Sequence, residues 1–319
     1  MKLEALYRFV VEKGIEKDPR GKSSVTKLLA EKKKAYGKLT GKKKDRFDRD
    51  KLFNPYSDTR ILNGSGETGI KSVIAGIDME VQEVLLADRL MQKGKKIDMI
   101  LTHHPEGRAL VNLYEVMDMH ADLLHEWGVP INVAEGVCSP RSQEVSRKLL
   151  PANHTRALDA AKLLGIPYMS CHTPADNHVD HFLRKLFASK KPSKLGDIIE
   201  LLEEIPEYRH AAGVSRGPVI INGSRNSRAG RIVTEMTGGT EGALGTIERM
   251  ARAGVGTVVG MHMTEGHLKK AKEHHLNVVI AGHISSDNIG MNLVLDSVEK
   301  KFGKLDVTCC SGFFRVKRK

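Results

Sequence analysis

The apolar run Ile97-Asp98-Met99-Ile100-Leu101-Thr102 ends on two adjacent histidines, His103 and His104, followed by Pro105. Neighbouring strand residues point to opposite sides, so two imidazoles can serve one place only if the backbone turns there. Pro105 cannot continue a central strand and predicts that turn. Upstream, Val73-Ile74-Ala75-Gly76-Ile77 reads as a buried strand, and Val81, Val84, Leu85 and Leu90 recur at helical spacing between Glu80 and Gln92. The segment is therefore a βαβ unit with a right-handed crossover. Open α/β sheets collect their ligands outside the carboxyl ends of strands, and the histidine pair sits at such an end.

The same rhythm continues. Residues 111–128 predict a helix, 129–133 a strand, 157–164 a helix closed by Gly165, and 166–171 a strand that delivers His172. Residues 198–204 predict a further helix. A second α/β stretch places strands at 218–221, 231–236, 255–259 and 277–282, the last ending on His283, with helices through Ala251, over 265–275 and over 288–302. No short-period repeat is visible. The two stretches could form related lobes, but no sequence identity between them is evident. The expected fold class is α/β: two α/β lobes with mixed sheets flanked by helices. The expected division is a basic helical segment over 1–52, a lobe over 53–210 carrying His103, His104 and Asp176, and a lobe over 211–319 carrying His283 and Asp287.

A chain of 319 residues is long enough to bury two such cores. Its net charge of +12 is uneven: residues 17–51 hold fourteen lysines and arginines against five acids. This segment is either a solvated insertion or a contact for nucleic-acid phosphates. No apolar run approaches the roughly 20 residues that span a bilayer. The N-terminus lacks a secretory pattern. Cys138, Cys171, Cys309 and Cys310 form neither a CxxC pair nor a disulfide framework, so the expected location is a reducing cytoplasm.

Three histidine positions recur after apolar strands: His103-His104, His172 and His283. Two of them have a carboxylate four residues on, as His172-x3-Asp176 and His283-x3-Asp287. Nitrogen and oxygen donors converging from strand-to-loop junctions suit zinc, manganese or iron. A carboxylate shared by two such ions gives a site that activates water. His178 and His181 follow Asp176 closely and could line the site, though a helix face is the simpler reading, and His274-His275 reads as a solvated helix end. Gly238-Gly239-Thr240 lacks the spacing of a phosphate loop and reads as an ordinary turn.

Three motifs, in order, resemble those of the Nif-three-like dinuclear metal-centre proteins, often labelled GTP cyclohydrolase I type 2. Leu101-Thr102-His103-His104-Pro105 resembles the family's THHP. His172-Thr173-Pro174-Ala175-Asp176 resembles HTNLD, and Gly282-His283-Ile284-Ser285-Ser286-Asp287 resembles the histidine-to-glutamate motif near the family's C-terminus. Met263-Thr264-Glu265-Gly266-His267 is similar to the segment before the family's last helix and strand. The resemblance covers about residues 50 to 311. It implies a metal cleft between two α/β lobes and a ring-shaped hexamer. It implies two divalent ions (zinc, iron or manganese): His103 and His104 on one ion each, Asp176 a terminal ligand, His283 on the other ion, and Asp287 bridging both. His172 would be an outer or weak ligand. Asp287 stands where the family carries glutamate, so bridging requires a closer backbone.

The expected function is a metal-dependent hydrolase acting on a small-molecule substrate, a nucleotide or other phosphoester, with Glu265 or His172 moving protons. The alternatives are a metal-binding regulatory scaffold without catalysis and a nucleic-acid-associated factor working through residues 17–51.

Overall fold

A computed structural model describes residues 1–318. Nine strands form two mixed sheets flanked by helices. The first sheet has the order β1-β4-β3-β2-β9, where β1 is Arg60–Asn63, β2 Ser72–Gly76, β3 Met99–Thr102, β4 Tyr168–Ser170 and β9 Asp306–Cys309. The second has the order β5-β8-β7-β6, with β5 Val219–Asn222, β6 Arg231–Glu235, β7 Val255–Gly260 and β8 Asn277–Ile280. In each sheet one edge strand, β1 or β5, runs antiparallel and the other pairings are parallel. The closing strand β9 pairs with β2 in the first sheet, so the chain returns there after completing the second.

The sheets repeat one another in register. β1 pairs with β4 through Arg60–Ser170, Ile61–Met169 and Asn63–Tyr168, with an irregularity before Asn63. β5 pairs with β8 through Val219–Ile280, Ile220–Val279 and Asn222–Val278, with the same irregularity before Asn222. Asn63 and Asn222 each donate an amide to a backbone carbonyl at 2.7 Å, of Ile166 and Leu276 respectively. The repeat survives in sequence only as Asn-Gly-Ser after β1 and β5 and as His-x3-Asp-Asn after β4 and β8.

Two long helices interlock the sheets. Thr173–Lys190 follows β4 of the first sheet, yet it buries Val179, Leu183 and Phe187 with Val259 and Val279 of the second. His283–Phe302 follows β8 of the second sheet, yet it buries Met291, Val294, Leu295 and Val298 with Val73 and Met99 of the first. A Cβ on Gly290 would collide with the carbonyl oxygen of Ala175, so glycine permits this close crossing. Gly290→Val forces overpacking worth about 1–3 kcal/mol, or a drop in Tm of roughly 2–12 °C. A Tm within about a degree of the parent would show that the helices are not locked together here.

The N-terminal helix Leu3–Glu16 lays Leu3, Leu6, Tyr7, Val10 and Val11 against the first core at helical spacing. The basic segment forms the helices Lys22–Gly37 and Gly41–Asp45. It is tied down by Lys51 to Glu115 at 2.7 Å and by the buried Asp18, which accepts from the Tyr56 hydroxyl at 2.8 Å. Residues 129–133 are not a strand: Pro130 caps the helix Ile131–Leu149, whose buried Ala134, Cys138 and Val145 share one face. The short apolar window resembled a strand because its helical period shows only over a longer span. Likewise His283 opens a helix rather than ending a strand, since β8 stops at Ile280.

Candidate metal centre

Three junctions meet between the sheets. His103 and His104 leave β3, His172 caps the helix after β4, and His283 opens the helix after β8. In each His-x3-Asp pair the two residues are one helical turn apart, which puts imidazole and carboxylate on the same face. Asp176 and Asp287 are both buried.

The rings are held from behind. His103 Nδ1 lies 3.1 Å from the Cys171 carbonyl, His104 Nδ1 2.6 Å from Asp78, and His172 Nδ1 2.9 Å from Asp58. With Nδ1–H donated outward, each Nε2 lone pair faces inward, as in metal-ligating histidines. Asp58 is fully buried and also accepts from the Thr173 hydroxyl at 2.6 Å. Burial opposes its ionisation, but His172, Thr173 and Arg60 outweigh that and hold it below its ordinary range.

The inward atoms are spaced for cations. Asp287 Oδ1 is 3.4 Å from His103 Nε2, which is also 3.4 Å from Asp176 Oδ1. Asp287 Oδ2 is 3.5 Å from His104 Nε2 and 3.6 Å from His283 Nε2. His172 Nε2 stands 3.8 Å from Asp176 Oδ2. Donors held about 2.0–2.2 Å from a tetrahedral ion lie about 3.3–3.6 Å from one another. Both oxygens of Asp287 and Oδ1 of Asp176 are buried without a hydrogen-bond partner. An unpaired buried carboxylate oxygen is costly, and a cation relieves that cost. The His/Asp groups therefore fit a bound metal ion.

The electrostatics are those of a crowded site. Burial pushes Asp176 well above the ordinary carboxylate range, and Asp287 adds repulsion. Burial pushes Asp287 the same way, but the imidazoles of His103, His104 and His283 prevail and hold it far below that range. Burial lowers His103 and His283. It also opposes charging of His104, but Asp287 and Asp78 raise that ring to about 9.

The structure brings His103, His104, His172, Asp176, His283 and Asp287 together. It does not bring Glu265 to them. Glu265 is exposed at the start of the helix Glu265–Glu273 and does not line the adjoining cavity. That cavity, about 60 Å³, is lined instead by Glu235, Glu241, His262 and His120 beside the cluster. Burial and the neighbouring Glu241 push the Glu235 carboxyl up to about 7. His262 lies with its ring centroid 5.1 Å from that of His283. Gly239 on the cavity wall and Gly238 beside it both have positive φ, and His120 Nε2 is 2.9 Å from the Gly238 carbonyl. His178 and His181 lie on another cleft of the molecule.

Asp58, Asp78, Glu235 and His262 were missed by sequence reasoning, and signals for three of them existed. Asp78 follows β2, which neighbours β3 in a parallel pairing, so it had to lie beside His104. The repeat aligns Thr102 with Gly260 and Gly76 with Glu235, which puts His262 in the place of His104. Asp58 lies in an irregular stretch before β1 and carries no local signal.

These features define an α/β protein of two mixed sheets with a His/Asp cluster able to hold metal where they meet. No family model and no curated protein matches the chain. Solved structures do. A NIF3 superfamily protein from Sphaerobacter thermophilus is 26% identical, with 80% of this chain and 91% of that one covered and a TM-score of 0.69. Reduced HcgD from Methanocaldococcus jannaschii shares the fold at 14% identity, with 79% and 87% covered and a TM-score of 0.50. The fold is that of the NIF3 superfamily structures, and the chain is similar to them over four fifths of its length.

Proposed function

We propose that this protein binds two divalent transition-metal ions, zinc, iron or manganese, and hydrolyses a nucleotide or another phosphoester. The observation that supports this reading most is Asp287: its two buried, unpartnered oxygens face different donor sets. Oδ1 with His103 and Asp176 would hold one ion, and Oδ2 with His104 and His283 the other. The ions would supply Lewis acidity and lower the pKa of water.

The chain's own groups supply the rest. Asp58 fixes His172 so that Nε2 can accept a proton near Asp176. Glu235, protonated below about pH 7, donates one to a leaving oxygen. It takes the proton-transfer role in preference to Glu265, which does not line the cavity. A carboxyl that must be protonated makes the rate fall as pH rises through about 7. In Glu235→Gln that limb disappears and the rate drops about 100-fold or more. An unchanged pH–rate profile removes Glu235 from the scheme.

A panel of nucleotides and phosphoesters assayed with zinc, manganese and iron tests the reading as a whole. Metal-dependent turnover that is lost in His104→Ala supports it. Bound metal without turnover on any substrate leaves a metal-binding scaffold instead. The proposal includes a ring-shaped homohexamer of the 35.3 kDa chain, which light scattering reports directly.

A further inference from the structure

The two helices that carry the cluster's carboxylates build a second cleft along their length, together with the N-terminal helix. We propose that this cleft binds an organic polyphosphate with an apolar or aromatic body, the chemical class of a nucleoside triphosphate. The site does not depend on the metal reading.

The cleft encloses about 660 Å³, within the range of small-molecule sites. Lys13 and Lys17 come from the N-terminal helix and its end, Lys185 from the helix after β4, and Lys300 and Lys301 from the helix after β8. Glu16 is the one acid among the lining residues, and Lys13 neutralises it at 2.7 Å. Among the described residues, Lys17, Lys185, Lys300 and Lys301 take part in no ion pair. The polar neighbour of Lys17 Nζ is His181 Nε2 at 3.4 Å, which is not an anion.

Four uncompensated ammonium groups from three rigid elements thus surround one concavity. Such like-charge crowding is relieved by a polyanion. Between them Phe9, Phe182 and Leu293 present apolar surface, which inorganic phosphate alone would leave uncovered. His178, only 5% exposed, bonds the Pro174 carbonyl through Nδ1 at 2.6 Å, and its Nε2 has no hydrogen-bond partner among the described residues. That nitrogen is a directional contact for the ligand. The lysine helix Lys22–Gly37 is different: it buries Val25 alone and offers no comparable floor.

Calorimetric titration of the full-length protein with ATP, adenosine and tripolyphosphate tests the assignment. The cleft is expected to take one ATP per chain, in a phase separate from any binding at the metal cluster, and more tightly than either fragment. Lys17→Glu combined with Lys300→Glu and Lys301→Glu weakens it by about 100-fold. Phe182→Ala weakens ATP about 10-fold while leaving tripolyphosphate unchanged. Single Lys17→Gln and Lys301→Gln variants, each several-fold weaker, replace the triple variant should it misfold. His104→Ala, in the metal cluster and outside the cleft, retains the cleft's ATP phase. The proposal is overturned if the lysine variants bind ATP like the parent, if His104→Ala leaves no ATP phase at all, or if no probe saturates below millimolar concentration.

Discussion

Asp287→Ala protein is expected to retain almost no transition metal, while His104→Ala retains about half of the parent's roughly two ions per chain. The asymmetry follows from the carboxylate's two oxygens. Oδ1 faces His103 and Oδ2 faces both His104 and His283, so one truncation removes a donor from both sets. His104 serves only the second set. Folding is a smaller concern than burial alone would suggest, because neither oxygen of Asp287 has a hydrogen-bond partner to lose. Far-ultraviolet circular dichroism establishes that the variant is folded, and elemental analysis then counts its metal. A folded Asp287→Ala protein that still carries both ions would contradict the shared-carboxylate arrangement.

Removing the metal should also lower the melting temperature by about 8–16 °C. Ligand linkage at about a thousandfold excess over Kd contributes roughly 4 kcal/mol, and each kcal/mol moves a chain of this size by roughly 2–4 °C. The structural cause is the pair of acids, Asp176 and Asp287, drawn together at the N-termini of two interlocked helices. Without a cation, burial and mutual repulsion drive Asp176 toward its neutral form. The strain falls where the helices hold the two sheets together, so the whole unfolding transition should shift. Calorimetry of chelated protein, followed by restoration with manganese or zinc, measures this. A chelated sample that melts with the untreated one would mean that the cluster holds no ion of consequence.

Much of the first sheet and of the His/Asp cluster was legible in the sequence. Buried strands of four or five residues bounded by helices of period 3.6 announce a parallel sheet, and such strands deliver side chains at their carboxyl ends. His103, His104, His172 and His283 were visible for that reason, and Asp176 and Asp287 because a four-residue step repeats beside two of the histidines. The crossing of the two long helices was not legible. Their apolar faces say that they are buried, not which sheet buries them. Strand β9, only four residues long and partly exposed, has too weak a pattern to show that it returns to β2. The acid that lines the cavity was hidden for a similar reason. Glu265 lies in a motif-like segment, whereas Glu235 ends a strand whose counterpart in the first sheet is glycine, a relation that appears only once both registers are known. Asp287, one methylene shorter than a glutamate, lies on the helix that Gly290 lets approach Ala175 directly.

Anomalous diffraction recorded at the metal absorption edge from crystals of the native protein addresses the central claim most directly. Two peaks are predicted, one beside each oxygen of Asp287 at about 2.0–2.2 Å, the first also touching His103 and Asp176 and the second His104 and His283. A single peak, or density that leaves either oxygen of Asp287 without a cation, would contradict the account.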